Sequence, residues 1–359
     1  MQTDEYIWSA RSSFRLIRSP RDSSLIKLTQ FQAELAEPAP LPYGAAMPDA
    51  RYVRILLLAA CVSGLPGKTR GGAFDGSVVA ASAAWWSHLN VETFARSATG
   101  RALLATPDQP LLHQANAFAA TTGIAPFRDL RHVTIYGPDE SGASGVAVMD
   151  GVFQATNLVK RLQSQAGYTS HAIYGLTVHR WRNPAGAGAP EAACLPNPQR
   201  LLLATDETLL LAALAVLRGK APSWTAQSGP LPLPRLAPPG VFLQAAARGC
   251  PGGLAGTLPG TLLRDVTVIA GALSEAGGQT QMDLQLYTAS EAAAVQLEQL
   301  ANGLILTGAI SQAAGAGATA PPWTRLMSGA VVTRRAATVQ IHCACPPSEA
   351  ANLLSKCQE

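Results

Sequence analysis

The chain has 359 residues, of which 48% are hydrophobic and only 14% charged, so it can build sizeable cores, is not disordered in bulk, and exceeds what one core usually serves. Its net charge of +4 is concentrated at the front: residues 1–74 hold nine Lys/Arg and six Asp/Glu, and residues 75–359 hold eighteen and seventeen. A nearly neutral body without a Lys/Arg run interleaved with aromatics excludes the electrostatic footprint of a nucleic-acid binder.

Residues 1–46 carry ten charged side chains and no hydrophobic period, and read as a non-native N-terminal extension ahead of a start at Met47. Residues 47–74 read as an export signal and linker: Arg51 and Arg54, then the apolar run 55–60, then Leu58-Ala59-Ala60-Cys61, which resembles the lipobox before a lipid-modified cysteine. On that reading Cys61 is lipidated and anchors the protein to a membrane. The run is shorter than a usual signal core, so the competing reading is a buried strand of a cytosolic domain, and it is far too short to span a bilayer. Ser63-Gly-Leu-Pro-Gly-Lys-Thr69 mimics a phosphate-binding loop, but the first glycine that such a loop needs is replaced by Val62.

A first module is expected over residues 80–220. It opens with a strand over 84–89 and a helical stretch over 91–121 interrupted near Pro107 and Pro110, which Gly123 and Pro126 stop. A strand over 131–135, a polar loop and a partner strand over 145–153 follow. The spacing of Leu158, Val159 and Leu162 predicts a helix over 156–165 with one face on the sheet. Strands are expected over 171–181 and 200–204, with an Ala/Gly/Pro-rich loop over 183–198 between them. Thr205-Asp206-Glu207 is a cap for a helix over 208–218, since side-chain oxygen and negative charge suit a helix start. Residues 221–240 contain six prolines and read as a linker.

A second module is expected over residues 241–359. A strand over 241–245 is followed by Arg264-Asp-Val-Thr-Val268, which echoes Arg131-His-Val-Thr-Ile135. Met282, Leu284 and Leu286 alternate as in a half-buried strand, Ser290 caps a helix running to about Ile310, strands cover 326–334 and 338–345, and Pro346-Pro-Ser-Glu349 starts a terminal helix. The repeated element order predicts an α+β protein of two tandem modules, each an antiparallel sheet with helices packed against it. Two unrelated α+β domains are the competing reading.

The segment Thr122-Gly-Ile-Ala-Pro-Phe-Arg-Asp-Leu-Arg-His-Val-Thr-Ile135, together with Leu201-Leu-Leu-Ala-Thr-Asp-Glu207, resembles a class of uncharacterised exported bacterial proteins over about residues 80–250. The resemblance implies export and two α+β modules, and it brings no activity with it.

No catalytic, cofactor or metal site is expected. The six histidines (88, 113, 132, 171, 179 and 342) show no His-Glu-x-x-His spacing, and Gly142-Ala-Ser-Gly-Val146 misses the nucleophile elbow around Ser144 because its last position is Val. Asp139, Asp150, Asp206, Glu207 and Glu349 fall in loops, turns and helix starts. Cys343 and Cys345 share one strand face with Val339 and Ile341, which suits core packing, a disulfide to Cys357, or a soft-metal site. Adjacent Trp85 and Trp86 point to opposite faces of a strand; both rings are buried, or one joins Leu111, Leu112 and Phe118 in an interaction patch. These features favour an exported cell-envelope protein with a non-catalytic binding or structural role and an unknown protein or small ligand as partner. The alternatives are a hydrolase with its site between the two modules and a carrier with an apolar pocket.

Overall fold

Runs rich in branched and aromatic residues become strands because such side chains pack well on a pleated surface. The computed structural model describes residues 74–106, 109–139, 142, 144–182, 190–227, 240–249, 265–313 and 329–356. Its strands are β1 (Trp85–Asn90), β2 (Leu130–Gly137), β3 (Val146–Gly151), β4 (Thr169–Ile173), β5 (Leu176–Trp181), β6 (Glu191–Asn197), β7 (Arg200–Ala204), β8 (Val241–Arg248), β9 (Val266–Ala276), β10 (Gln279–Thr288), β11 (Val331–Arg335) and β12 (Thr338–Cys345). Its helices are α1 (Val91–Arg96), α2 (Ala98–Ala105), α3 (Pro110–Thr122), α4 (Pro126–Asp129), α5 (Ala155–Gln163), α6 (Glu207–Leu217), α7 (Trp224–Gln227), α8 (Glu291–Ala313) and α9 (Pro347–Lys356), preceded by a 3-10 turn at Gly76–Val78.

The strands form one antiparallel sheet in the order β11-β12-β10-β9-β8-β1-β2-β3-β7-β6-β5-β4. The α+β class is as the sequence predicts. The two expected modules share this one sheet, because β1 pairs with β8 from Trp85↔Ala247 to Leu89↔Leu243. On either side of that join three neighbouring strands precede a helix, β1-β2-β3-α5 (with α1 to α4 inserted between β1 and β2) and β8-β9-β10-α8; β7 then adds to β3, and β12 to β10. Strands β4, β5 and β6 extend the first half only.

Side chains alternate across a strand, so the register defines two faces. On the front, Leu89, Val133, Ile135, Met149 and Leu201 pack under α1, α2, α3, α5 and α9, while Leu286, Val339 and Ile341 pack under α8 through Ala294, Leu297 and Ala301. On the back, Trp86, Val148, Leu202 and Cys194 pack under α6, α7 and the 3-10 turn through Leu210, Leu214, Trp224 and Val78.

Helix ends follow local chemistry. Asn90 closes β1 and caps α1, its Oδ1 accepting the Thr93 N–H at 2.9 Å. Ser97 ends α1 and starts α2, accepting the Gly100 N–H at 2.9 Å. Gly100 is required at that junction: a Cβ there would lie 2.1 Å from the Phe94 carbonyl oxygen. Asp206 and Ser290 cap α6 and α8 as expected.

Four expectations change. The long helical stretch is three helices, broken at Ser97 as well as before Pro110. The single strand over 171–181 is the hairpin β4–β5, turning at Tyr174-Gly175, both with positive φ. The expected loop over 183–198 contains β6. The first residues of the expected linker belong to the core, where Ser223 bridges to Ala80 and the Trp224 side chain is fully buried. The expected extension, start at Met47, export signal, lipobox with Cys61 and Val62 loop lie outside the described residues, as do Cys357 and the central part of the proline-rich segment.

Candidate functional site

The place where the two halves join is also where polar side chains enter the sheet. Followed across the back face, paired residues read His342 (β12), Asp283 (β10), Ala272 (β9), Gln244 (β8), His88 (β1), Thr134 (β2), Val148 (β3), Leu202 (β7), Cys194 (β6) and Val178 (β5). The row is mostly polar up to β2 and apolar beyond it. Asn90, His132, Asp150 and Arg200 form a parallel row near the edge of the same face.

At the seam the Thr134 hydroxyl lies 2.8 Å from His88 Nδ1, with both residues buried. The His88 ring stacks on His132 at 5.7 Å between centroids and meets the edge of Phe74 at 5.6 Å. Phe74 in turn lies flat on Trp86 at 3.8 Å, and Trp86 meets Trp224 edge to face at 6.5 Å. Burial holds His132 below the ordinary imidazole range, against the pull of Asp150 and Glu92, because a buried cation loses hydration. Its Nδ1 is buried and has no hydrogen-bond partner among the described residues. Beside it Arg200 grips Asp150 with two hydrogen bonds, of 2.6 and 3.0 Å, the fork-to-carboxylate geometry that raises the guanidinium further.

The front of the seam is also polar. Glu275 on β9 accepts the backbone N–H groups of Ala98 and Thr99 at 2.5 and 3.3 Å, so a carboxylate from the second half caps the first turn of α2 in the first. The fully buried Thr99 hydroxyl meets the Thr280 hydroxyl of β10. Helix α9 packs on α2 over the same region.

A hydroxyl beside an imidazole is the opening element of nucleophilic catalysis. Here Thr134 and His88 are 5% and 6% exposed, closed beneath the Phe74 ring, and are consumed in joining β1 to β2. Neither residue was legible as a pair in the sequence, since 46 positions separate them. Of the predicted interaction residues, Trp86 is 1% exposed in the back core, while Trp85 is half-buried in the front core with its Nε1–H donating to the Asp139 carbonyl at 2.8 Å. Leu111 is buried in that front core and Phe118 packs against it. Ser144 donates to Asp139 Oδ2 at 2.9 Å in the β2–β3 loop.

Cys343 and Cys345 are buried free thiols on the front face. Burial pushes Cys343 up to about 12, and Cys194, also free, up to about 11. The expected disulfide to Cys357 involves a residue outside the described ones. Among the described residues no group of three His, Cys, Asp or Glu side chains could hold a metal ion, and no helix is long and apolar enough to cross a membrane.

No family model and no curated protein matches the chain. Solved structures of TP0453 do resemble it. Crystal form III aligns at a TM-score of 0.49 and 11% identity over 80% of this chain and all of that one. Form IV aligns at 0.47 and 10% over 79% and 97%, and form I at 0.44 and 10% over 79% and 98%. At this distance no residue role passes from those structures to this chain.

Proposed function

We propose that the chain is a non-catalytic binding or structural module of the cell envelope, exported and anchored through Cys61, and built as two passes through one strand-and-helix programme joined edge to edge. One observation carries the reading: where the halves meet, polar groups bond to one another, across the join or between neighbouring strands, while among the described residues the sheet ends in β4 and β11. His88 and Thr134 bond to each other, Glu275 caps a helix of the opposite half, and Thr99 meets Thr280. Chemistry needs groups held open to a substrate, whereas recognition needs only a rigid frame with exposed edges, which a sheet supplies. The Arg51 and Arg54 segment ahead of Leu58-Ala59-Ala60-Cys61 supports export and anchoring.

Two measurements test the proposal. Metabolic labelling of the expressed protein with an alkyne fatty acid should mark the wild type and not Cys61→Ser; an unlabelled wild type, or a labelled variant, rejects the anchor. A panel of ester and amide substrates should show no turnover by the wild type. Turnover that Thr134→Val removes while the melting profile stays intact would replace this reading with the hydrolase.

A further inference from the structure

We infer that strand β4 is a docking edge for an extended acidic segment of a partner protein, read by a cationic tip built from Tyr174, Arg218 and Lys220. The inference rests on the binding reading above and names its partner class; it does not depend on export.

Among the described residues β4 is the last strand of the sheet, and it is exposed along Thr169, Ser170, His171 and Ala172. Its turn to β5 has two residues, with Ile173 and Leu176 as the closing pair. In such a hairpin the closing pair is hydrogen-bonded, and bonded and non-bonded pairs then alternate. Thr169, His171 and Ile173 therefore bond inward to β5, while the backbone N–H and C=O of Ser170 and Ala172 point outward. That is the pattern an added strand takes up in β-augmentation.

The turn itself is unusual. Tyr174 has φ 54° and Gly175 φ 75°, the two positive values of a type I′ turn. Asn, Asp or Gly takes the first position without difficulty, whereas a bulky aromatic there is uncommon and strained, and strain of this kind gathers at functional sites. The residue is 57% exposed. Two cations lie against its ring: Lys220 Nζ at 4.8 Å and Arg218 Cζ at 5.3 Å from its centre. Arg218 also donates to the Tyr174 carbonyl at 2.9 Å. Among the described residues no carboxylate pairs with Arg218 or Lys220. Glu207, the acid that meets this edge among the described residues, is already shared by His171 at 2.8 Å and Arg180 at 3.1 Å. Two like charges held on one ring beside an open strand edge are complementary to negative charge on an incoming segment.

The other end of the sheet lacks this arrangement. On β11, Arg334 is neutralised by Glu298 at 2.8 Å and Glu291 at 3.1 Å, both on α8.

The test uses the full chain and fluorescein-labelled (Glu-Val)4 and (Lys-Val)4 peptides, followed by anisotropy. The acidic peptide should bind at least about tenfold more tightly than the basic one, with affinity falling as salt rises. Ala172→Pro removes an outward N–H at a position where an edge strand tolerates proline, and should weaken binding about tenfold without moving the thermal midpoint. Lys220→Glu should weaken it by a similar factor. Tyr174→Asn should relieve the turn, raise the midpoint and still weaken binding, a combination that a purely structural tyrosine would not give.

Equal binding of both peptides, or binding indifferent to Ala172→Pro, overturns the proposal. So does binding of a dT10 oligonucleotide with the same response to Lys220→Glu and none to Ala172→Pro, since the tip would then be a general polyanion site. If neither peptide binds but sedimentation shows self-association that Ala172→Pro abolishes, the acidic partner is rejected and the binding reading stands. If neither peptide binds and the chain remains a monomer throughout, both are rejected at this edge.

Discussion

In the first half of the chain the sheet carries helices on both faces, and in the second half the helices lie on the front, while the back is apolar only at Ala246, Ala270 and Ala272 near the join and polar beyond them. The strand sequences carry the difference. β3 runs Val146-Ala-Val-Met149 with every side chain buried, between α5 on one side and α6 on the other. β10 alternates Met282, Leu284 and Leu286 toward α8 with Gln281, Asp283, Gln285 and Tyr287 on the back. Asp283 faces His342 across β12 at 2.8 Å, and Gln285 faces Gln340. A continuous apolar run marks burial on two sides, and strict alternation marks burial on one. The two helices that follow β7 and β12 obey the same difference: α6 turns onto the apolar back of the first half, and α9 onto the front beside α2.

The comparison can be broken most sharply at its centre. Trp86→Ala removes a 1% exposed ring held between Phe74 and Trp224, and should cost about 3–5 kcal/mol, read as a shifted urea midpoint. A loss below about 1 kcal/mol would mean that the back of the first half is not a packed core. The buried thiols test burial on both halves at once. With Cys194 near 11 and Cys343 near 12, native alkylation by iodoacetamide at pH 8 should run at least about a hundredfold slower than in the unfolded chain, followed by mass spectrometry.

The seam between the halves should yield smaller effects. Glu275→Ala deprives α2 of its cap from the opposite half and should cost about 1 kcal/mol, whereas Glu275→Gln should recover part of it. His132 gives a pH signature. Its folded pKa lies below the ordinary 6.5, so the unfolded chain takes up a proton first as pH falls. Stability is therefore fully present above 6.5 and declines as pH falls from there through the folded value. Urea midpoints at pH 7.5 and 5.5 should differ less in His132→Gln than in the wild type; equal slopes would remove His132 from the seam's pH response. Gln340→Ala, on an exposed position of the second half's back, should stay within about 0.5 kcal/mol of the wild type.

Much of the fold was legible because its causes are local. Asp206, Ser290 and Gly123 mark helix ends through partners within four residues, and such partners can be seen in a sequence. The alternation of β10 and the apolar run of β3 were legible for the same reason, since each records the faces its own residues meet. The hairpin at Tyr174-Gly175 was missed because its first turn residue is an aromatic where Asn or Asp usually signals the turn, although Gly175 was a cue. β6 was missed because Glu191-Ala-Ala-Cys-Leu-Pro-Asn197 is weak in strand formers and becomes a strand by pairing with β5 and β7.

The sequence by itself determined the α+β class, most helix starts, and the assignment of Cys343 and Cys345 to one inward face, because each follows from a period or a cap inside a short window. Only the tertiary structure decided that the two halves share one sheet, that His88 meets Thr134 and Glu275 caps a helix 177 residues away, and that Tyr174 gathers Arg218 and Lys220. Those pairings join residues whose separation along the chain leaves no period to read. They are fixed by strand register and by which edge of each meander found the other.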